Sequence, residues 1–307
     1  MSEAVKKKET IEDINEILKF WGLDGAVVTP MEQRSESTWD VDGMYVLKRY
    51  RTDEDLSRSL KFSKLLTSHG IPVISFIPAD NGQLTSPDGL YCLMTKLPGT
   101  HVDFFEDQGL AHEMGRELAQ LHIALSDIES KTSCIDSNLL NDWHNRIKPS
   151  LGDVPEDMVQ NVDIAFCGIF PNLPRQLIHR DVHCHNVLFE NGHLTGWLDF
   201  DLSHRNVRIF DIAYLLSGLL VGNTDDPGKM EKWRSIYIDL LNGYDEINRL
   251  SDDERDALPI IMIMIEFLFV WYWEEQGNAE QRSVALELAK WLYNEVTGDT
   301  SLTTALL

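Results

Sequence analysis

The hydrophobic pattern of this chain changes near Pro98-Gly99, and this change most constrains how the chain can fold. Before it, short apolar stretches are separated by turn signals such as Asp42-Gly43 and Asn81-Gly82. After it, apolar residues recur at helical spacing over long segments. The sequence therefore predicts an α+β fold, in which a small antiparallel-sheet lobe is followed by a larger, mainly helical lobe.

Two helices and a sheet of about five strands are predicted in the first lobe. Thr10 is a helix N-cap with Asp13 in the first turn, and Gly22 ends that helix. The second helix is expected over residues 53–68. The strands are expected at 26–28 and 44–47, which would pair as a hairpin, and at 73–77, 83–85 and 90–96.

The second lobe is predicted to contain a β-hairpin among its helices. The hairpin strands are expected at 186–189 and 194–198, joined across the turn Asn191-Gly192. The helix expected over 257–273 carries Glu266 at its middle, which favours a buried helix over a membrane span. The other helices are predicted at 110–126, 139–147, 209–220, 230–241 and 279–296.

The charge balance excludes several classes of partner. The chain has 27 basic and 50 acidic residues, a formal net charge of −23. Such a surface repels phosphate backbones and anionic lipids, so we expect neither a nucleic-acid partner nor a membrane partner. The 4 cysteines are scattered without CxxC spacing, and the first residues do not resemble a signal peptide. We therefore expect a reduced, cytoplasmic protein.

Side chains with acceptor oxygens concentrate in the hairpin region of the second lobe. Asp181 is followed by Asn186, and Asp199 comes after the hairpin turn. Carboxylate and carboxamide oxygens are ligands that Mg²⁺ prefers, together with substrate phosphates. A separate upstream carboxylate can accept the proton of an attacking hydroxyl, and this division of roles is typical of phosphoryl transfer.

The spacing His179-x-Asp181-x-x-x-x-Asn186, followed by Asp199-Phe200-Asp201, resembles the catalytic core of the aminoglycoside phosphotransferase and choline kinase-like family. Further segments agree with that family in order, over roughly residues 25–220. They are Tyr45-Val46-Leu47-Lys48, residues 93–99, residues 115–122 and Phe210-Asp211-Ile212-Ala213. The resemblance implies a two-lobed protein-kinase-like fold. Its parts would be a nucleotide-binding lobe over 1–95, a hinge over 96–99 and a catalytic and substrate lobe over 100–307.

The resemblance also implies roles for the residues around the hairpin. Asp181 would be the catalytic base, and Asn186 and Asp199 would hold Mg²⁺. Four further residues would support this centre: His179 and Asp211 as structural braces, His183 as a contact to substrate or phosphate, and Asp201 as an additional metal or substrate contact.

The nucleotide would be held by residues of the first lobe and the hinge. The resemblance implies ATP as the phosphate donor, with GTP left open. Lys48 would contact the α- and β-phosphates. The carbonyl of Thr95 and the amide of Leu97 would bind the adenine edge, with Met94 behind them.

The chain departs from the family pattern at two places. Residues 31–39, where a phosphate-covering loop is expected, contain no glycine, so Ser35 and Ser37 would present their amides from a less permissive turn. Secondly, Ser59 stands where an acidic partner of Lys48 is expected. Alternative partners nearer the start of that helix are Asp53, Glu54 and Asp55.

The sequence thus predicts an ATP-dependent kinase that phosphorylates a hydroxyl of a small molecule: an aminoglycoside-like antibiotic, an amino alcohol or a sugar metabolite. Roughly ten residues separate Asp199 from the next helix, too few for the activation segment of a protein kinase. If the surplus carboxylates of the second lobe line the acceptor side, the acceptor is cationic.

Three other interpretations remain at this point. A kinase-like scaffold or binding protein with weak or no catalysis, similar to spore-coat-type relatives, is suggested by the missing helix partner of Lys48. A zinc site at His179, His183, Cys184 and His185 is disfavoured, because these residues are crowded and no second ligand pair follows. The simplest alternative is a polar hairpin with turn-forming Asp and Asn residues.

Overall fold

The computed structural model describes residues 10–31, 37–50, 52–132 and 135–297. Its helices are α1 (Ile11–Leu18), α2 (Asp53–Ser68), α3 (Leu110–Ile128), α4 (Leu139–Asp142), α5 (Glu156–Ile169), α6 (Ile209–Leu220), α7 (Pro227–Asn248), α8 (Asp252–Glu275) and α9 (Ala279–Thr297). Its strands are β1 (Val28–Pro30), β2 (Thr38–Val41), β3 (Tyr45–Arg49), β4 (Tyr91–Thr95), β5 (Arg175–Ile178), β6 (Val187–Glu190), β7 (His193–Trp197) and β8 (His204–Val207).

The chain folds as two compact units. Unit 1 consists of Met1–Gly99 and Thr195–Asp201, and unit 2 consists of Thr100–Leu194 and Leu202–Leu307. Unit 1 holds a small antiparallel sheet, and unit 2 is mainly helical. The predicted α+β class is therefore confirmed. The short segment Thr195–Asp201 belongs to unit 1 although it comes late in the chain.

Unit 1 is built on a four-stranded antiparallel sheet in the order β1-β2-β3-β4. The predicted hairpin between 26–28 and 44–47 is wrong, because β2 lies between these segments and pairs with both β1 and β3. Trp39 and Val41 are buried, whereas the alternating Asp40 is less so. This strand is short and carries a charge at its centre, so its period-2 signal is weak in the sequence.

Two further strands predicted in unit 1 are also wrong. Residues 73–77 form only isolated bridges, in which Val73 pairs with Trp197 and Phe76 with Met94. At 83–85, the Asn81 side chain accepts a hydrogen bond from the Gln83 amide at 3.0 Å. Such a local turn competes with strand pairing, so β4 is the strand that completes the sheet.

Local signals placed the two helices of unit 1 correctly. Thr10 and Asp13 form a capping box at the start of α1, and Gly22 adopts a left-handed conformation after it. Thr52 caps α2, which covers the predicted residues 53–68. The core beneath the sheet is apolar and includes Ile14, Leu18, Trp21, Trp39, Leu47 and Leu93.

The segment Thr195–Asp201 is attached to unit 1 by specific contacts. The Trp197 amide donates to the Pro72 carbonyl at 2.8 Å, and the Thr195 hydroxyl donates to the Pro98 carbonyl at 2.6 Å. The rings of Phe200 and Phe62 stack with centroids 5.9 Å apart. As a result, Asp199 and Asp201 are carried by the same unit as Lys48.

In unit 2, α3 and α7 cross at a point where both helices carry glycine. A Cβ atom added to Gly115 would overlap the Leu240 carbonyl, and one added to Gly243 would overlap the His112 carbonyl. The two backbones therefore approach closely because neither residue has a side chain. This crossing places His122 of α3 within hydrogen-bond distance of Tyr244 of α7, at 2.8 Å.

We expect Gly243→Ala to lower the free energy of unfolding by about 3 kcal/mol, because the added methyl group forces the two helix backbones apart. Urea denaturation followed by far-UV circular dichroism measures this loss. Gly168→Ala in α5 is the matched control, since a Cβ there meets nothing within 4 Å. Equal stability of the two variants would contradict the close crossing.

The helix predictions in unit 2 are largely confirmed, with two omissions. Helix α6 has the predicted bounds, and α7 and α8 extend beyond theirs. Helix α5 and the antiparallel pair β5-β8 were not predicted. The β5-β8 pair joins residues about thirty positions apart, with Arg175 opposite Val207, so no short-range turn signal announces it.

Helix α8 is apolar along most of its length. By length and composition it could cross a membrane, but 61% of its most apolar window is buried within the protein. Glu266 lies on this helix with only 3% of its surface exposed. Helix α8 therefore lies in the core of unit 2, as the sequence predicts.

Candidate active site

The backbone of the loop before Asp181 is held by one buried carboxylate. Asp211, in the first turn of α6, accepts hydrogen bonds from the amides of His179 at 2.8 Å and Arg180 at 2.7 Å. Arg180 has a φ of 71°, a left-handed conformation that costs energy for a residue with a side chain. The two bonds to Asp211 hold the loop in this turn.

Asp211 is itself held in place by the α3–α7 crossing. His122 contacts Asp211 Oδ2 through Nε2 at 3.0 Å and the Tyr244 hydroxyl through Nδ1 at 2.8 Å. His122 and Asp211 are fully buried. The supporting role that the family resemblance implies for Asp211 stays a prediction, and the two amide bonds are the contacts through which Asp211 would act. The close glycine crossing thus helps to hold the loop that carries Asp181, because it brings Tyr244 to His122, and His122 contacts Asp211.

Asp181 is surrounded by three polar side chains of unit 2. The Asn186 amide nitrogen donates to its Oδ2 at 2.8 Å, and the Tyr214 hydroxyl donates to its Oδ1 at 3.0 Å. His183 Nε2 lies 3.6 Å from Oδ2. Tyr214 was not identified from the sequence. It lies one helical turn after Asp211 on α6, and that spacing is the signal that could have found it.

The surroundings keep the Asp181 carboxyl ionised. Burial by itself raises its pKa, but the hydrogen bond and charge of His183, the charge of His179 and the hydroxyl of Tyr214 outweigh burial. The net effect is a pKa below the usual range for an aspartate. A carboxylate that is ionised at neutral pH and aimed by two hydrogen bonds can orient a hydroxyl group and accept its proton.

In unit 1, the acidic partner of Lys48 is Asp201. The Lys48 ammonium lies 3.3 Å from Asp201 Oδ2, although the two residues are 153 positions apart. Ser59 instead contacts the Tyr50 hydroxyl at 2.8 Å, and the Lys48 ammonium lies 4.9 Å from the centre of the Tyr50 ring. The expected acidic partner on helix α2 is thus replaced by a residue of the late segment.

Helix α2 contributes a cation to this arrangement rather than an anion. The Arg58 guanidinium donates to the Asp201 carbonyl at 2.9 Å, so α2 holds the backbone of the late segment. Burial raises the pKa of Asp201, and Lys48 opposes that effect while the neighbouring Asp199 adds to it. Arg58 was missed in the sequence analysis, because its partner is a backbone atom far along the chain.

Asp199 adopts an unusual backbone conformation beside this pair. Its φ is 58°, and its Oδ1 accepts a hydrogen bond from the Asp201 amide at 3.4 Å. A left-handed aspartate is tolerated because its short polar side chain can bond locally. Its carboxylate has the oxygen chemistry that Mg²⁺ prefers. In unit 2, the Asn186 amide nitrogen faces Asp181, and its carbonyl oxygen is also an atom type that Mg²⁺ prefers.

The predicted nucleotide-binding residues belong to unit 1. Met94 is buried on β4, and its sulfur accepts a hydrogen bond from the Tyr50 hydroxyl at 3.9 Å. Thr95 ends that strand, and Leu97 follows it. The Ser37 carbonyl accepts from the Arg49 amide at 2.8 Å. Ser35 lies outside the described residues.

The structure brings the predicted site residues together in two groups. Lys48, Asp199 and Asp201 meet in unit 1, with Met94 on the same sheet. Asp181, Asn186, His183, His179 and Asp211 meet in unit 2. The predicted joint binding of one metal ion by Asn186 and Asp199 stays a prediction.

The alternative zinc site gains no support from the described residues. His179, His183, Cys184 and His185 do not form a metal-like cluster there. Among the described residues, the three side chains whose ligand atoms lie close enough together to hold a metal ion are His144, Asp163 and Cys167. Its carboxylate is already bound by the Lys148 ammonium at 2.7 Å and by the Trp143 indole nitrogen at 2.6 Å.

Glu266 of α8 is another buried carboxyl group of unit 2, and it lines a cavity there. Burial raises its pKa to about 8, and the hydrogen bond with Ser217 only partly opposes this. An unfolded glutamate titrates near about 4.3. Between these two values the folded chain keeps a proton that the unfolded chain has released, so stability falls as the pH rises through this window.

We therefore expect Glu266→Gln to be more stable than the natural protein at pH 8.5, by on the order of a few kcal/mol, and similar to it near pH 4.5. Urea denaturation at the two pH values measures the difference. Glu275→Gln, at the exposed end of the same helix, is the control and is expected to show no such change. A stability difference independent of pH would rule out this titration.

Comparison with known proteins identifies the family of the chain. A model of the phosphotransferase enzyme family matches residues 30–254. The homoserine kinase of Gluconobacter oxydans is 28% identical over 185 residues, which is 55% of this chain and about half (54%) of that protein. The homoserine kinase of Gluconacetobacter diazotrophicus is 28% identical over 276 residues, covering 84% of this chain and 81% of that protein.

The fold is shared with a solved kinase structure. An amicoumacin kinase in complex with AMP-PNP and Ca²⁺ superposes with a TM-score of 0.68, at 16% identity and with 96% of each chain covered. This likeness confirms the predicted protein-kinase-like fold. Because the family model matches most of the chain, the protein belongs to the phosphotransferase enzyme family.

Proposed function

We propose that this phosphotransferase transfers the γ-phosphoryl group of ATP to a hydroxyl of a small molecule by direct in-line attack, with Asp181 as the base. The observation that carries the proposal is the environment of Asp181. Its carboxylate is aimed by Asn186 and Tyr214, and its pKa is held below the usual range. That combination is suited to a hydroxyl acceptor, whose proton must be taken up as the new bond forms.

The other site residues have complementary roles in this proposal. The Lys48 ammonium, positioned by Asp201, contacts the nucleotide phosphates. Met94, Thr95 and Leu97 bind the base. Asn186 and Asp199 offer the oxygens for Mg²⁺, and a bound magnesium ion supplies positive charge to the phosphates. The chemistry of this donor set fits magnesium, and a nearby relative in fold was crystallised with AMP-PNP and Ca²⁺.

The acceptor is proposed to be small and to carry a hydroxyl group. The two relatives compared above are homoserine kinases, which supports a small aliphatic acceptor of this kind over an oligosaccharide antibiotic. We place the reaction in the cytoplasm, because the cysteine pattern is that of a reduced protein.

A kinase-like binding protein is the second candidate, and one observation favours it. Lys48 is paired with Asp201 rather than with a residue of helix α2, which differs from the arrangement that the family resemblance implies. Against this candidate stand the intact Asp181, Asn186 and Asp199.

Two measurements separate the candidates. A thermal-shift titration with ATP, with and without Mg²⁺, first tests nucleotide binding. Turnover is then measured with matched panels of small amino alcohols, hydroxy amino acids, sugars and aminoglycosides. The proposed function requires magnesium-dependent ATP binding and ADP release with at least one acceptor. Nucleotide binding without turnover on any of the panels would favour the binding protein.

A further inference from the structure

Unit 2 contains a cavity lined by two side chains that contact Asp181, the proposed base. Its volume is about 230 Å³, and it lies among residues of α6, α8 and α9. Tyr214 and His183 line it, and both contact the Asp181 carboxylate, at 3.0 Å and 3.6 Å. A molecule in this cavity would therefore have one end next to the two side chains that hold the base.

Glu266 supplies the carboxyl group of the cavity. It is the one carboxyl group among the described lining residues, and its exposed surface is 3%. Ser217 of α6 provides a hydrogen bond to it. The Glu266 charge also raises the pKa of Tyr214, after the larger effects of burial and of Asp181. The Tyr214 hydroxyl thus lies within electrostatic range of both carboxyl groups.

Aromatic rings form the wall next to Glu266. Phe269 and Trp273 follow it on the same face of α8 at helical spacing, and both line the cavity. The Phe269 ring packs against the Tyr214 ring with centroids 5.8 Å apart. Aromatic faces and a buried carboxylate both attract an organic cation, and the apolar wall strengthens that attraction by excluding water.

The described lining residues contain no lysine and no arginine. Among the described lining residues, the buried Glu266 carboxyl therefore has no lysine or arginine as a partner, and burial raises its pKa to about 8. A bound ammonium group would provide the missing counter-charge. A bound carboxylate would instead meet the negative charge of Asp181 and the Glu266 carboxyl group, with no lysine or arginine among the described lining residues to offset its charge.

We propose that this cavity is the acceptor site for a small amino alcohol without a carboxylate, whose ammonium group pairs with Glu266 and whose hydroxyl reaches Asp181. The inference rests on the proposed function and names its substrate class. In the reaction, the hydroxyl proton passes to the Asp181 carboxylate, the hydroxyl oxygen bonds to the γ-phosphorus, and the bond from that phosphorus to the ADP oxygen breaks. The proposed preference for an acceptor without a carboxylate distinguishes this chain from the relatives named homoserine kinase.

Three matched acceptors test the proposal directly. They are 3-amino-1-propanol, homoserine, which is the same skeleton with an added carboxylate, and 1,3-propanediol, which lacks the ammonium group. With the natural protein and saturating Mg·ATP, we expect kcat/KM for the amino alcohol to exceed that for the diol by about 100-fold. Homoserine is expected to be at least about 10-fold worse than the amino alcohol. An acceptor preference in the opposite order would overturn the proposal.

Glu266→Gln tests the residue behind the preference. We expect it to raise KM for the amino alcohol by about 100-fold, to leave the diol unchanged and to retain Mg·ATP binding. Glu275→Gln removes the same charge from the exposed end of α8 and is expected to behave as the natural protein. If Glu266→Gln keeps the natural ratio of amino alcohol to diol, Glu266 does not bind the ammonium group.

A second variant tests the cavity independently of Glu266 and is expected to fold normally. A Cβ at Gly218 would meet nothing within 4 Å, and this glycine lines the cavity. Gly218→Val is therefore expected to keep the melting temperature and Mg·ATP affinity but to lose amino alcohol binding by at least about 10-fold. Unchanged amino alcohol binding in a folded Gly218→Val would place the acceptor elsewhere.

Calorimetric titration of the amino alcohol separates this inference from the proposed function. Binding that depends on Glu266, without any phosphoryl transfer, would keep the site and overturn the kinase function. Phosphoryl transfer to an acceptor that is insensitive to both Glu266→Gln and Gly218→Val would keep the kinase function and overturn the site.

Discussion

Replacing Asp181 by asparagine is expected to lower kcat by about 1,000-fold, the largest effect on the chemical step that we predict. The variant keeps the shape of the side chain and an oxygen that can accept the Tyr214 hydrogen bond. It loses the negative charge and the ability to take up the hydroxyl proton. Because Asp181 does not contact the nucleotide in the proposed mechanism, KM for ATP should change little.

Steady-state and single-turnover kinetics measure this loss, and a thermal-shift titration with Mg·ATP checks that the nucleotide still binds. Asp157→Asn, on the exposed first turn of α5, is the matched control and should retain full activity. A fall in the single-turnover rate equal to the fall in kcat is expected if the chemical step is affected. Retention of more than about a tenth of kcat in Asp181→Asn would show that another group accepts the proton.

The second large effect concerns metal-dependent nucleotide binding. Asp199→Asn is expected to weaken Mg·ATP binding by about 100-fold, because it removes the carboxylate that offers its oxygen to the ion. Asparagine is the appropriate replacement, since residue 199 has a φ of 58° and asparagine tolerates that conformation better than alanine. The loss should therefore reflect the missing charge rather than a rearranged backbone.

Fluorescence or calorimetric titration with ATP, with Mg²⁺ and with EDTA, measures the effect. ATP binding in EDTA should be nearly the same in the variant and the natural protein. Asp80→Asn, in an exposed loop of unit 1, serves as the control for the charge change. Normal Mg·ATP affinity in Asp199→Asn would mean that residue 199 is not a metal ligand.

Contacts between residues that are close in the sequence could be predicted, whereas contacts between distant residues could not. Asp181 and Asn186 lie in one loop, and their contact at 2.8 Å is the kind of short-range arrangement that a motif records. Lys48 was found from its strand, yet its partner Asp201 was not, because the two meet only when the late segment joins the sheet unit. Helix start signals at Thr10 and Thr52 worked for the same reason as the loop motif, since each cap bonds within its own first turn.

The sequence by itself determined the α+β class, the change from strands to helices near residue 98, and the identity of the loop that carries Asp181 and Asn186. These depend on hydrophobic period and on residues a few positions apart. The tertiary structure alone decided three other features. They are the Asp201 partner of Lys48, the Tyr214 contact to Asp181, and the cavity in which Glu266 has no lysine or arginine among its described neighbours. Each depends on how helices and strands that are far apart in the sequence pack together, and this packing produces no local sequence pattern.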